Sequence, residues 1–428
     1  MAGRRTLTSA ELVAAARRRL SARADVRAAL ACARETSDRV HLTGGAVRDA
    51  FLAALAPSRP PGRRRDLDLA LPAGRAVPFA GALARRLGSR AVAIGVPPRR
   101  ILHLPLARGE VDVWEREADV GRDLYRRDFT VNALSFELPS WRFLAPGSAL
   151  DDLRRRRLAL PRAGVLLEDP LRVLRAARFL AELRGFRIAA AARAELRRAA
   201  RRLETAAPER RLDELDRILS AVPAGAARAL RFLESCGALR ALLPGVTATE
   251  RREGTRRVAR MARPSPAVAR VLLVSPLGAR KGAEILRRWK TSRRELQLAA
   301  RLHALAAPLK GPSRAPAASR REVVETLRSV SPFFAESVLF LSALPGSRPA
   351  RLAEALASLS ASPRRRARIL RPRRPLDAVA ELRALGVEEG PRFGAILSDL
   401  DVALAAGELR GPRAVRRFLA ARAGASAR

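Results

Sequence analysis

Strand-like patterning is confined to one window of this 428-residue chain, and that confinement limits the fold more than any other feature. Between Val40 and Leu144 lie short apolar runs: VHLT (40–43), DLDLALP (66–72), AVAIGV (91–96), RILHLPL (100–106), EVDVW (110–114) and LSFEL (134–138). Gly and Pro separate them, and helix-length segments at 46–56 and 77–87 fall between, which predicts a small mixed α/β domain. From Leu150 onward strand signals almost vanish. Helices are predicted over 151–157, 170–184, 189–204, 209–221 and 224–235, broken at Gly185, Pro208 and Pro223. Ala/Leu/Arg helices with Pro/Gly breaks continue to Arg428. Residues 1–38 also read as helical, with Thr8 to Glu11 (TSAE) as a capping box. The expected organisation is an N-terminal helical segment (1–38), an α/β head (39–148), a helical neck (149–245) and a helical body and tail (246–428).

Charge and cysteine content narrow the class. The formal net charge of +42 suits an acidic partner such as a nucleic-acid backbone. Nearly all of the basic residues are Arg, however, and Arg, Ala, Leu, Gly and Pro rise together as the coding bias of a GC-rich genome would also produce, so the charge is supporting evidence only. Cys32 and Cys236 give neither a zinc spacing nor a disulfide framework, in keeping with a reducing cytoplasm. The N-terminal stretch lacks an uninterrupted apolar core of signal-peptide length. No window approaches 18 uncharged apolar residues, so no membrane span is expected.

The candidate chemistry starts at Asp66 and Asp68. Side chains alternate along a strand, so these two carboxylates project together while Leu67 and Leu69 project the other way. Such a pair can hold divalent metal, and Mg²⁺ prefers one or two carboxylates plus substrate phosphates. By itself D-x-D also describes a solvated strand edge. In HLTGGAVRDAFLA (41–53), however, a strand leads through Gly44-Gly45 into a helix, a turn whose backbone N–H groups can approach a phosphate. Arg48 lies in the first helical turn. Asp112, with Glu110 on the same strand face, offers a third carboxylate. Strand, Gly-Gly turn, helix, then a strand bearing D-x-D is the expected order of a nucleotidyltransferase head.

Four ordered stretches then carry a family resemblance: GGAVRDAFL, RRDLDLAL, DLYRRDFTVNALSFEL (123–138) and LEDPLRVLRAARFLAELRGF (167–186). Together they resemble the class II tRNA nucleotidyltransferase and bacterial poly(A) polymerase family, over roughly residues 38–245. The resemblance implies that Asp66 and Asp68 bind catalytic Mg²⁺, with Asp112 as the third carboxylate. It implies that Gly44, Gly45 and Arg48 meet the triphosphate and that Arg127 contacts the nucleotide. Asp128 and Asn132 would brace the sugar and the link between head and neck. Asp169 and Arg172 match the base-reading pair, expected on one helix face with position 175, and Arg175 and Arg178 match further nucleotide contacts. The implied partners are tRNA, CTP and ATP, and the implied reaction is attack of an RNA 3′-hydroxyl on a nucleoside triphosphate. The family also leaves a poly(A) polymerase as an alternative, and a non-catalytic RNA-binding protein as a minor one.

Two departures matter. Only the 15 residues 113–127 separate Asp112 from Asp128, where CCA-adding members usually carry a long flexible loop, and shortened loops mark members that add only the two cytidines. His41, His103 and His303 are each followed by Leu or Ala, so the His-Asp pair of the phosphohydrolase domain appended to some members is absent from the sequence.

Overall fold

The computed structural model describes residues 7–56, 66–95, 100–116, 119–309 and 319–424. The insert at 57–65, with arginines 63–65, lies outside the described residues. The chain forms two compact units, one from residues 1–206 and 236–241, the other from 207–235 and 242–428.

The first unit opens with helices α1 (Ser9–Ser21) and α2 (Ala24–Glu35). The expected capping box starts α1: Thr8 Oγ1 accepts from the Glu11 amide, and the Glu11 carboxylate accepts from that of Thr8. The head follows as β1 (Val40–Thr43), α3 (Gly45–Leu55), β2 (Leu67–Leu71), α4 (Ala76–Leu87), β3 (Val92–Ile94), β4 (Ile101–Leu106), β5 (Gly109–Glu115), α5 (Val120–Tyr125), β6 (Ser135–Leu138) and β7 (Arg142–Leu144). These strands make one sheet in the order β3-β4-β5-β2-β1-β6-β7, with β2 and β5 parallel and every other neighbouring pair antiparallel.

Strand alternation divides the sheet into two chemistries. Leu42, Leu67, Leu69, Leu71, Val111, Val113, Leu104 and Phe136 are buried and form the core face. Phe51 of α3 stacks on Phe136 with ring centroids 6.0 Å apart. The alternate positions carry the polar residues. β7 was not anticipated, because RFL has no alternation to read; Phe136 and Phe143 pair across it and join the same aromatic cluster.

The neck begins with α6 (Ala149–Arg154), β8 (Arg157–Leu158), α7 (Val165–Glu168), α8 (Arg172–Glu182), β9 (Arg187–Ile188) and α9 (Ala192–Arg201). β8 and β9 pair in parallel over two residues each, too short to leave a sequence signal.

The second unit is helical throughout its described residues. Arg270, only 3% exposed, is held between the carboxylates of Asp216 and Glu295. Gly254 lets two helices, Ala248–Ala259 and Pro266–Val274, cross closely: a Cβ there would sit 2.3 Å from the Leu273 carbonyl oxygen. Near the C-terminus Leu382, Phe393, Leu400, Val415 and Leu419 form a core of their own. No helix among the described residues is long and apolar enough to cross a membrane.

Candidate active site

The strand register assembles a polar row across the sheet. His103 on β4 lies opposite Asp112 on β5, Asp112 opposite Asp68 on β2, Asp68 opposite Thr43 on β1, and Thr43 opposite Ser135 on β6. Residues directly opposite each other share a face, so Asp68 and Asp112 emerge side by side. Asp66 precedes β2 by one residue and shares its parity with Asp68.

The Gly-Gly turn closes over this row. Gly44 has φ +78° and ψ −147°, a conformation that glycine adopts without strain. A Cβ there would fall 2.0 Å from Asp68 Oδ2. The Gly45 amide, at the start of α3, donates to the Asp68 carboxylate. Burial pushes that carboxyl up to about 6; Arg127 opposes the shift, while the charges of Asp112 and Asp66 reinforce it. Asp68 and Asp112 stand side by side, with Asp66 sharing the strand parity of Asp68, and carboxylates of this kind suit a hard divalent cation shared with phosphate oxygens; among the described residues, the ligand atoms lying within 4.8 Å of one another are those of His103, Glu110 and Asp112.

The remaining motif residues link the head to the neck. Arg48 is 7% exposed. Its Nη1 donates to Asn132 Oδ1 at 2.9 Å, and its guanidinium pairs with Asp49. Asn132 Nδ2 donates in turn to Asp128 Oδ1 at 3.0 Å, and Arg175 Nε donates to Asp128 Oδ2 at 2.7 Å. Burial alone would raise the Asp128 carboxyl, but Arg175, Asn132 and the Phe129 amide hold it below the usual range. Phe179 of α8 underlies this chain: the guanidiniums of Arg48, Arg175 and Arg178 lie 5.6, 5.8 and 5.0 Å from its ring centre. Arg127 donates to Asp123 and, at 3.4 Å, to the Asn132 carbonyl.

Asp169 does not share a helix face with Arg172 and Arg175. It adopts an extended conformation (φ −142°, ψ 103°) and α8 starts only at Arg172. Pro170 explains the difference, since a residue before proline is driven out of the helical region. Asp169 instead takes the Leu171 amide at 3.1 Å in the turn that opens α8. Arg172 grips two carbonyls, Val165 at 2.6 Å and Arg126 at 2.8 Å, and so ties the neck to the RRDFT segment.

Several supports were not legible in the sequence. Thr130 Oγ1 donates to buried Asp152, which also receives Arg157. Glu195, 4% exposed, accepts from the amides of Gly164 and Leu166 and thereby caps α7, whose Val165 carbonyl Arg172 holds. The segment after β5 contains α5, capped by Asp119. His103 reaches Asp112 through a strand pairing that no linear spacing reveals.

Comparison with known proteins agrees with this geometry. Residues 40–159 match the family described as "Poly A polymerase head domain". Residues 185–249 match "Probable RNA and SrmB- binding site of polymerase A". The chain is similar to the CC-adding tRNA nucleotidyltransferase of Synechocystis, 38% identical over 182 residues, 42% of this chain and 41% of that one. It is also similar to the Multifunctional CCA protein of Xanthomonas campestris, 36% identical over 230 residues, 49% of this chain and 52% of that one. The chain thus spans about half the length of these curated relatives. Among solved structures, a CCA-adding enzyme in complex with CTP has TM-score 0.64 at 18% identity, covering 96% of this chain and 97% of that one. The Thermotoga maritima CCA-adding enzyme complexed with tRNA has TM-score 0.61 at 19% identity, covering 92% and 94%. At these identities the structural likeness establishes the fold: a mixed α/β head followed by a mostly helical remainder. With the ordered motifs and the carboxylate row, residues 40–159 and 185–249 of this chain are similar to the head and RNA-binding domains of the poly A polymerase family.

Proposed function

We propose that the chain is a template-independent nucleotidyltransferase that adds CMP, and in the fuller version of the reaction AMP, to the 3′ end of tRNA. The observation that carries this reading is the cross-strand alignment of Asp68 with Asp112 beneath a Gly-Gly turn too close to Asp68 for any side chain. In the reaction the RNA 3′-oxygen bonds to the α-phosphorus of the nucleoside triphosphate, the bond to the β-phosphate oxygen breaks, and pyrophosphate leaves. Asp66, Asp68 and Asp112 would hold divalent metal, which we assign as Mg²⁺, supplying charge neutralisation at the α-phosphate and a more acidic 3′-hydroxyl.

The chain's own groups position the reactants. The Gly45 amide keeps Asp68 under the turn, and the turn and Arg127 receive the triphosphate. Asp128 and Asn132, fixed by Arg175 and Arg48, brace the sugar. Asp169 and Arg172, held at the start of α8, read the base edge through acceptor and donors. Arg175 and Arg178, which lie over the Phe179 ring on the same helix, are the further nucleotide contacts of this reading. tRNA, CTP and ATP are the partners of this reading, and the cytoplasm is its place of action.

Addition of the two cytidines alone is the more specific form of the proposal. The short connection from Asp112 to Asp128 supports it, as does the likeness to a CC-adding relative. Asp66→Ala and Asp68→Ala test the metal site: incorporation should be abolished while RNA binding in a filter assay stays near wild type. Unchanged incorporation in either variant would sink the assignment.

A further inference from the structure

We propose that His103 is a positioning residue for the third carboxylate, holding Asp112 in the orientation its metal requires; this rests on the reading of Asp112 as a metal-binding group. His103 stands opposite Asp112 in the β4–β5 pairing, and its Nδ1 lies 2.9 Å from Asp112 Oδ1. A carboxylate oxygen only accepts, so Nδ1 carries the proton and donates. Its Nε2 lies 3.8 Å from Glu110 Oε2.

The placement is what makes the bond useful. β5 lies between β4 and β2, so Asp112 has Asp68 on one flank and His103 on the other. The two carboxylates stand directly opposite each other in the β2–β5 register, and like charges so placed repel. Without a partner, Asp112 would lower that repulsion by rotating away from the position in which both charges face one cation. A hydrogen bond to Oδ1 from the flank opposite Asp68 removes that freedom, because fixing one oxygen of a planar group fixes the lie of the other. Donors to ligating carboxylates work this way in other metal sites, where removing them weakens metal binding by about 10–100-fold.

A second use of the same imidazole is separable by experiment. His103, Glu110 and Asp112 each offer a ligand atom within 4.8 Å of the others, so His103 could instead ligate a metal itself. Asparagine distinguishes the two roles: its Nδ2 hangs from Cγ where imidazole carries Nδ1, so it can donate to Asp112, but it is a poor metal ligand.

The test is a Mn²⁺ titration of the full chain with CTP present, following free Mn²⁺ by electron paramagnetic resonance, for wild type, His103→Ala, His103→Asn and Asp112→Asn. His103→Ala should weaken Mn²⁺ binding about tenfold and raise the Mn²⁺ needed for half-maximal CMP incorporation, while the melting temperature holds. His103→Asn should recover most of both. If Asp112→Asn weakens Mn²⁺ binding and His103→Ala does not, the positioning role is overturned while the Asp112 reading stands. If Asp112→Asn is also without effect, that reading itself fails. Failure of Asn to rescue a defective Ala variant makes the imidazole a ligand and overturns positioning.

Discussion

Gly44→Ala is the sharpest single perturbation of the head. The residue sits at φ +78° and ψ −147°, where an L side chain strains the backbone by about 1–3 kcal/mol. The new methyl would also meet Asp68 Oδ2 at 2.0 Å and Asp68 Cγ at 2.9 Å, where ordinary contact begins near 3.4 Å. Relief requires the carboxylate to retreat by on the order of 1 Å or the turn to open by as much. A shift of that size at a reacting centre costs about 100-fold in rate. Gly44→Ala should therefore lose about 1–3 kcal/mol in urea unfolding and about two orders of magnitude in kcat for CMP incorporation, with RNA binding retained. Gly45→Ala is the stability control: its Cβ meets only Arg48 Nη2, at 3.7 Å, so it should unfold like wild type. A Gly44→Ala protein that keeps both wild-type stability and kcat within a factor of about three would refute the closeness of turn and carboxylate on which the site is built, since a shift of this size costs far more.

Other expectations follow from buried contacts. Arg175→Ala leaves the buried Asp128 carboxylate without its partly exposed partner cation and should cost about 1–3 kcal/mol near neutral pH. Because the folded-state pKa of Asp128 is depressed, its contribution is present above the unfolded value of about 3.9 and lost as pH falls through the folded one. The stability gap between the variant and wild type, measured by urea unfolding across acid pH, should therefore shrink below about pH 4; a gap independent of pH would contradict this role. Gly254→Ala drives a methyl into the Leu273 backbone rather than into a side chain that could turn aside, and should cost about 1–3 kcal/mol or more by thermal melting. A neutral effect would mean that the two helices do not cross where described.

Much of the head was legible because its signals are local. Alternation placed the strands that carry Asp68 and Asp112, and a Gly-Gly pair between strand and helix located the turn. What was not legible depended on pairing at a distance. That Asp112 lies beside Asp68 follows from the parallel β2–β5 register, and that His103 joins them follows from the β4–β5 hairpin. Arg48 reads in sequence as a residue that meets the triphosphate, yet it is buried against Phe179 and bonded to Asn132, because the neck helix covers it. Helical spacing puts Asp169 on a helix face, but Pro170 drives it into the extended conformation it adopts. The arginine-rich composition helped least: the same residue type forms the buried bridge at Arg270, the brace at Arg175 and exposed surface at Arg365, and only packing separates these roles.

The central claim is tested most directly by incubating the purified chain and Mg²⁺ with tRNA transcripts ending at the discriminator base, at C and at CC, with CTP and ATP supplied singly and together. The account predicts extension by CTP that stops after the second cytidine, dependence on Asp68, and no extension of a non-tRNA RNA. Added adenosine on the CC transcript would replace the CC-only form with full CCA addition. Long adenosine tails on any RNA 3′ end, or no incorporation on any tRNA, would contradict it.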